Sequence, residues 1–377
     1  MSGGMLYNQI KTILPAFAFE GAYQDALEIL SGNVNSTYHL FYNGPAGKKE
    51  YVLQRINSFV FQDPAAVMRN IALVTEHLRH SLQKAGIDTA RRVLELIPTT
   101  RSDIFYQDPT GGCWRATRFI DDATAPDRVD TPEQLFEIGR GFGTFQRLLY
   151  DFPADALTAT IPNFHNTPKR FYAFVHAIDM DAAGRARQAD DEIEFFFDRR
   201  LMMSKIVRLM DAGTLPPRVT HNDTKANNVM IDNRTGHAIC VLDLDTVMPG
   251  SSLYDYGDAV RYGASTAAED EEDTSRIALD MDKARAFTEG FIEETNGFLT
   301  EEELRLLPLG IKVITCELAM RFLKDYLEND VYFKVNSPTH NLIRARAQIA
   351  LLKDIEARED DLNRMIASLL HKAIPNK

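Results

Sequence analysis

Cysteine is scarce in this chain. Three cysteines, Cys113, Cys240 and Cys316, stand far apart among 377 residues, each in or beside an apolar run. Such spacing favours buried free thiols in a reducing cytoplasm over a disulfide framework or a cysteine metal site. Long apolar runs are missing as well: none approaches the ~20 residues that cross a bilayer. The N-terminal Met1-Ser2-Gly3-Gly4-Met5 leads into neither a basic segment nor an apolar core. A cytoplasmic enzyme with no membrane contact is the expectation. Basic residues are not in excess either. The formal net charge of -12 argues against a general binder of nucleic acid or anionic membrane. It leaves nucleotide binding open, because a few local cations decide that. There is no internal repeat and no low-complexity linker. What remains is an ordinary globular composition, 45% apolar and 25% charged, long enough for two lobes.

The most informative stretch is His221-Asn222-Asp223-Thr224-Lys225-Ala226-Asn227-Asn228, followed by Val241-Leu242-Asp243-Leu244-Asp245. Between them, Val229-Met230-Ile231 and Ala238-Ile239-Cys240-Val241 flank the turn sequence Asp232-Asn233-Arg234-Thr235-Gly236, which predicts a β-hairpin. Such a hairpin gathers Asp223, Asn228 and Asp243 at one end. Two carboxylates and an amide are oxygen ligands suited to Mg²⁺, which takes a few carboxylates plus substrate phosphates. A further group nearby could take the proton of a hydroxyl. Together these are the parts of a phosphoryl-transfer site.

Two other glycine-rich stretches do not carry that chemistry. Gly44-Pro45-Ala46-Gly47-Lys48-Lys49 lacks the four-residue gap and the Ser/Thr of a P-loop. Gly139-Arg140-Gly141-Phe142-Gly143 lies inside a helical pattern and not after a strand, so close helix packing is expected there.

Around the motif, a helix is expected over Leu6 to Phe19, and a short helix or strand entry over Gly21 to Leu30. Strands at Tyr38–Tyr42 and Glu50–Asn57 form a hairpin. A helix capped by Asp63 and begun at Pro64 runs to Gly86. Strands follow at Arg92–Pro98 and Cys113–Ile120, and Asp121-Asp122-Ala123-Thr124-Ala125-Pro126 marks a boundary between residues 1–121 and 122–377. Beyond it the pattern is helical: one helix capped by Thr131, one from Lys169, a long one over Asp190 to Ala212, then helices from the capping box at Thr300 to about Ala373. The acidic tract Ala267 to Asp273 reads as a solvated loop.

The pattern His221-x-Asp223-x-x-x-x-Asn228 with Asp243 resembles the core of the aminoglycoside-phosphotransferase and choline-kinase branch of kinase-like enzymes. With Tyr51 to Asn57, Phe164-His165-Asn166-Thr167-Pro168, Leu242 to Val247 and Arg321 to Lys334, the text is most similar to bacterial N-acetylhexosamine 1-kinases. The resemblance implies an α+β, bilobal protein-kinase-like fold. It implies an ATP- and Mg²⁺-dependent kinase acting on the anomeric hydroxyl of a small-molecule sugar. Acceptors such as aminoglycosides, choline or homoserine are the alternative, and a nucleotide-binding pseudokinase is another.

Carried over residue by residue, Asp223 is the base that also orients the acceptor, and Lys225 neutralises the transferring phosphoryl group. Asn228 and Asp243 hold the metal, His221 braces the loop, and Asp255 ties it down. The loop with Gly32, Asn33, Ser36 and Thr37 covers the phosphates, and the hinge from Phe119 to Asp121 holds the adenine. The third-strand lysine of kinase-like folds is absent. Gln54 or Arg55 replaces it, or a cation comes from elsewhere. Glu76 is its candidate ion-pair partner or else a solvated glutamate. Asp245 serves a second metal or the substrate, or makes a structural hydrogen bond. Arg321, Tyr332 and Phe333 border the sugar pocket.

Overall fold

In the computed structural model, which describes residues 10–30, 34–45 and 47–373, the chain has a β-sheet N-terminal region and a helical C-terminal region. Strands β1 (Ala22–Ile29), β2 (Ser36–Gly44), β3 (Gly47–Ile56), β4 (Leu96–Ile97), β5 (Tyr106–Gln107) and β6 (Cys113–Arg118) form one sheet, in the order β1-β2-β3-β6-β4 with β5 also against β6. Side chains alternate across it. Tyr38, Leu40, Tyr51, Leu53, Trp114 and Ala116 face a core completed by Ile10, Ile13, Leu14 and Phe17. The other face, with Thr37, Val52, Gln54, Arg115 and Thr117, lines a cleft. Helix α1 (Pro64–Lys84) begins as its text implies, with the Asp63 carboxylate accepting from Ala66 N at 2.9 Å.

In the C-terminal region, β7 (Ala123–Thr124), β9 (Val229–Asp232) and β10 (Ala238–Val241) make a three-stranded sheet, and β8 (Arg218–Thr220) pairs with β11 (Met248–Gly250). The helices are α2 (Pro132–Leu148), α3 (Thr167–Met180), α4 (Asp190–Met203), α5 (Lys205–Asp211), α6 (Ser252–Gly263), α7 (Met281–Thr295), α8 (Glu301–Arg305), α9 (Leu307–Leu327), α10 (His340–Ala357) and α11 (Glu359–Ala373). The glycines at 139 and 143 let α2 lie directly on α7. A Cβ at Gly139 would run into the Phe287 carbonyl, and one at Gly290 into that of Phe136. Among the described residues no helix is long and apolar enough to cross a membrane. All three cysteines are buried and free.

Several expectations are corrected. Of the helix expected over Leu6 to Phe19, residues 6–9 lie outside the described residues; residues 10–13 are helical, and the chain then turns through a short 3₁₀ segment, Leu14–Ala16, that contains Pro15. Of the two alternatives for Gly21 to Leu30 the strand holds, as β1 over Ala22–Ile29. The strand expected at Arg92–Pro98 shrinks to two residues, because only Leu96 and Ile97 pair with β6. The long helix over Asp190 to Ala212 is broken at Ser204, whose hydroxyl donates back to the Leu201 carbonyl at 3.0 Å. That bond is the local competition a serine offers a helix backbone. The acidic tract is not simply solvated: Glu269 pairs with buried Arg261 at 2.6 Å and Asp270 with His340 at 3.3 Å.

Candidate active site

The floor of the cleft is the hairpin β9–β10 and the segments at its open end. His221 is fully buried. Its Nε2 donates to the Leu242 carbonyl (2.7 Å), and its Nδ1 accepts from Asp223 N (3.3 Å). The edges of the ring meet Phe142 and Phe145 on α2. One imidazole thus ties the loop at 221–228 to the strand leading into Asp243. Asp255, in the first turn of α6, accepts from His221 N (2.9 Å), Asn222 N (2.7 Å) and Gln146 Nε2 (2.9 Å). Asp258 accepts from Thr224 N at 3.0 Å and is held by Arg261. Asn222 and Asp243 both adopt left-handed backbone, φ 65° and 55°. Asn and Asp tolerate that region better than most residues.

This scaffold leaves a small polar group exposed. The Asp223 side chain is about one-quarter exposed, and its Oδ1 meets Lys225 Nζ at 2.9 Å. Its charge holds the lysine ammonium above the usual range. Asn228 Nδ2 donates to the Asp223 carbonyl at 2.8 Å and lies 3.4 Å from its Oδ2. Asp243 is exposed to the cleft, but the protein packed around it, then the charges of Asp245 and Asp223, push its carboxyl up to about 6. Crowded carboxylates of this kind are relieved by a cation. Asn228 and Asp243 both line the cleft, and two such oxygen donors plus phosphate oxygens suit Mg²⁺. Among the described residues no group of three or more His, Cys, Asp or Glu could hold a metal alone. Asn228 and Asp243 therefore fit a shared ion and not a dedicated metal cage.

Above the floor is a largely apolar slot of about 240 Å³. Ile29, Val52, Leu94, Leu96, Phe119, Ile120, Met230 and Leu242 give it walls for a flat ring; Thr37, Gln54, Arg115, Asn228 and Asp243 give it polar groups. Phe119 is stacked on His39 at 4.0 Å, and its N–H is taken by the Glu50 carbonyl. Asp121 is exposed, outside the slot lining, and its carbonyl accepts from Arg91 Nε. Ser36 is also exposed, since strand alternation turns it toward Tyr38's side of β2 while Thr37 enters the slot. Gly32 and Asn33 lie outside the described residues. Arg55 is corrected for the same reason as Ser36. It stands beside the Trp114 ring on the face away from the slot. Glu76 is exposed on α1 with His77, Arg79 and His80, while Ile71 of the same helix reaches the slot. Among the described residues it makes no pair across the cleft.

Sequence reasoning missed Arg115. Buried at 4% exposure, it lies opposite Gln54 in the β3–β6 register. Its Nε donates to Gln54 Oε1 at 2.9 Å, and it forms an ion pair with Asp245. Asp245 is 3% exposed and also accepts from Asn35 Nδ2 at 2.6 Å, so it bridges floor and sheet.

Beside the floor, a second cavity of about 290 Å³ is lined by Arg170, Arg321, Tyr332 and Phe333, among others. Asp325 shapes it from α9 by accepting from Tyr332 N (2.8 Å) and Phe333 N (2.9 Å). The Arg321 guanidinium lies 5.4 Å from the Phe164 ring, 5.9 Å from Tyr332 and 5.6 Å from Phe333. Arg170 is held by buried Glu317, which also takes His165 at 3.0 Å. Burial, and then the charge of Arg321, bring Arg170 down to about 10.

Residues 25–287 match the phosphotransferase enzyme family, and the chain belongs to it. Its fold is that of solved phosphotransferases at low identity. An aminoglycoside phosphotransferase from Alicyclobacillus acidocaldarius is 13% identical, with 96% of each chain covered and a TM-score of 0.55. A microcompartment-associated aminopropanol kinase is 12% identical over 94% of this chain and 98% of its own, TM-score 0.55. The GDP complex of aminoglycoside 2'-phosphotransferase-IIIa is 11% identical over 99% and 98%, TM-score 0.52. Membership of that family makes the chain a phosphotransferase.

Proposed function

We propose that the chain is an ATP- and Mg²⁺-dependent kinase that phosphorylates the anomeric hydroxyl of N-acetylhexosamines. The observation that carries this reading is the acceptor-side cavity. Its carboxylates are committed: Asp325 to two backbone N–H groups and Asn341, Glu328 to Lys324. Its uncommitted charge is a cation, because among the described residues Arg321 forms no hydrogen bond or ion pair and lies over three rings, and Glu317, the carboxylate that feels its charge, is already paired with His165 and Arg170. A protonated amine, the recognition handle of an aminoglycoside or amino alcohol, is repelled there. A neutral sugar can stack on the rings and offer an acetamido oxygen to the guanidinium.

On this reading MgATP supplies the transferable phosphoryl group, with Asn228 and Asp243 the residues that would hold the ion. Asp223 orients the acceptor hydroxyl and takes its proton as the oxygen attacks. The anomeric hydroxyl is the most acidic of a sugar, so it asks least of a carboxylate. Lys225 holds Asp223 in position and offsets charge on the phosphoryl group.

ATP consumption with a panel of acceptors tests the reading. N-acetylhexosamines are expected to exceed plain hexoses by roughly tenfold, the effect of leaving a buried polar group unpaired at about 1–3 kcal/mol. Methyl glycosides are expected to bind without turnover. Equal turnover of the methyl glycoside moves the chemistry to another hydroxyl, and turnover of aminopropanol or an aminoglycoside alone replaces the sugar reading.

A further inference from the structure

Kinase-like chains place a lysine on the third strand of the N-terminal sheet and pair it with a glutamate on the following helix. Here both positions are taken by other groups. Gln54 occupies the inward-facing position of β3, Arg55 faces away, and Glu76 is out on the surface. The cleft nevertheless has a buried cation one strand over. Arg115 and Gln54 are direct cross-strand partners, and such neighbours stand ~5 Å apart at Cβ. An arginine reaches further than a lysine, so a shift of one strand still brings its head to the same part of the slot.

Its surroundings orient it. Gln54 receives its Nε–H, and Gln54 Nε2 donates in turn to Thr37 Oγ1 at 3.1 Å, which fixes the amide. Asp245 faces the other side of the guanidinium. Of the five N–H donors of a guanidinium, these two bonds use two, and three remain. Thr37, Asn228 and Asp243 line the slot with it. The other arginine lining the slot, Arg118, is held bidentately by Glu95 at the end where Phe119 and Ile120 lie.

We infer that Arg115 is this chain's nucleotide-phosphate cation, with Gln54 as its positioning partner and Asp245 as the carboxylate that takes the place of the helix glutamate. The inference rests on the nucleotide reading of the slot made above. It also gives Asp245 a charge-pairing role across the cleft in place of metal binding.

The test is calorimetric binding of ADP and of adenosine to the full chain in EDTA, so that metal plays no part. Wild type is expected to bind ADP more tightly than adenosine. Arg115→Gln should weaken ADP by roughly ten- to hundredfold, the scale of losing a charge-assisted hydrogen bond, and leave adenosine unchanged. Arg115→Lys should recover part of the loss. Arg55→Gln should change neither ligand. Removing Arg115 alone strands a buried carboxylate and can unfold the chain. The double variant Arg115→Gln/Asp245→Asn leaves no unpaired ion and carries the same comparison. A folded double variant that binds ADP within twofold of wild type overturns the assignment. A wild-type chain that binds neither ADP nor adenosine overturns the nucleotide reading itself and takes the inference with it, before any variant is made.

Discussion

The floor and the roof of the cleft are built by opposite strategies. The floor is local: His221, Asn222, Asp223, Thr224 and Asn228 sit within eight residues, held from below by Asp255 and Asp258 one helical turn apart on α6. The roof is dispersed. Gln54 and its partner Arg115 are 61 residues apart, and Arg115 and Asp245 are 130 apart. A floor of this kind is rigid through redundancy, with the backbone amides of His221, Asn222, Asp223 and Thr224 each given a side-chain acceptor. The roof depends on single long-range bonds, chiefly those that meet at Asp245. Substitutions in the floor should therefore be severe, and substitutions in the roof should divide sharply between the groups that face the slot and those that merely neighbour it.

The largest expected effect is from Asp255→Ala. It strands the amides of His221 and Asn222 and the Gln146 side chain. At about 1–3 kcal/mol for each unsatisfied group, a loss of at least ~3 kcal/mol is expected. Chemical denaturation with an unchanged slope checks it. A loss under ~1 kcal/mol would mean that water replaces the carboxylate and that the floor is not rigid in this way. Asp223→Asn comes next. Turnover should fall by about 10²-fold or more, the scale of general-base catalysis, with an unchanged melting temperature. Near-normal steady-state turnover would remove Asp223 from the chemistry.

A third expectation concerns pH. The folded-state carboxyl of Asp243 is raised to about 6 from an unfolded value near 3.8. The fold therefore favours its protonated form. That contribution to stability is fully present below about pH 4 and is lost as pH rises through about 6. Asp108 and Asp232 are lowered to about 2. Asp108 is held by Thr110, Trp114 and Gly112, and Asp232 by Thr235 and Arg91. Their stabilisation is present above about pH 4 and is lost only as pH falls toward 2, so the windows do not overlap. In metal-free buffer the melting temperature of wild type should drop between pH 4 and 7 relative to that of Asp243→Asn. Parallel profiles for the two proteins would show that Asp243 is not perturbed.

The same contrast explains what could be read from the chain. The Asp63 and Thr131 caps, the Thr300 capping box and the β9–β10 hairpin follow from neighbours in sequence, and the α+β kinase-like fold from the resemblance that the motif carries. The approach of Asn228 to Asp223 follows from the same hairpin. Arg115 could not be read in this way. Cys113-Trp114-Arg115-Ala116-Thr117 reads as a strand, but the face that looks into the cleft depends on the pairing of β6 with β3, which no local pattern states. Ser36, Arg55 and Glu76 were placed by analogy with position along the chain, and alternation on a strand or rotation on a helix turned each of them away. Asp245 falls between the two cases. Its place two residues after Asp243 was visible, but its partner was not.

The smallest expected effect sharpens this division most. Arg55 and Glu76 sit where the cation and its partner would stand if chain position alone decided. Arg55 is exposed beside Trp114, and Glu76 is exposed on α1. Surface substitutions of this kind change stability by about 0.5 kcal/mol or less. A guanidinium that touched phosphate would contribute several times that. Arg55→Gln and Glu76→Gln should therefore leave KM for ATP and kcat within about twofold of wild type, since 1.4 kcal/mol corresponds to a factor of about ten. A tenfold rise in KM for ATP in Arg55→Gln would show that β3 rotates or slips when nucleotide arrives. The register pairing Gln54 with Arg115 would then be only one of two arrangements of the roof. A matching rise in Glu76→Gln would require α1 to turn with it by more than a third of a circle, because Ile71, five residues earlier, faces the slot.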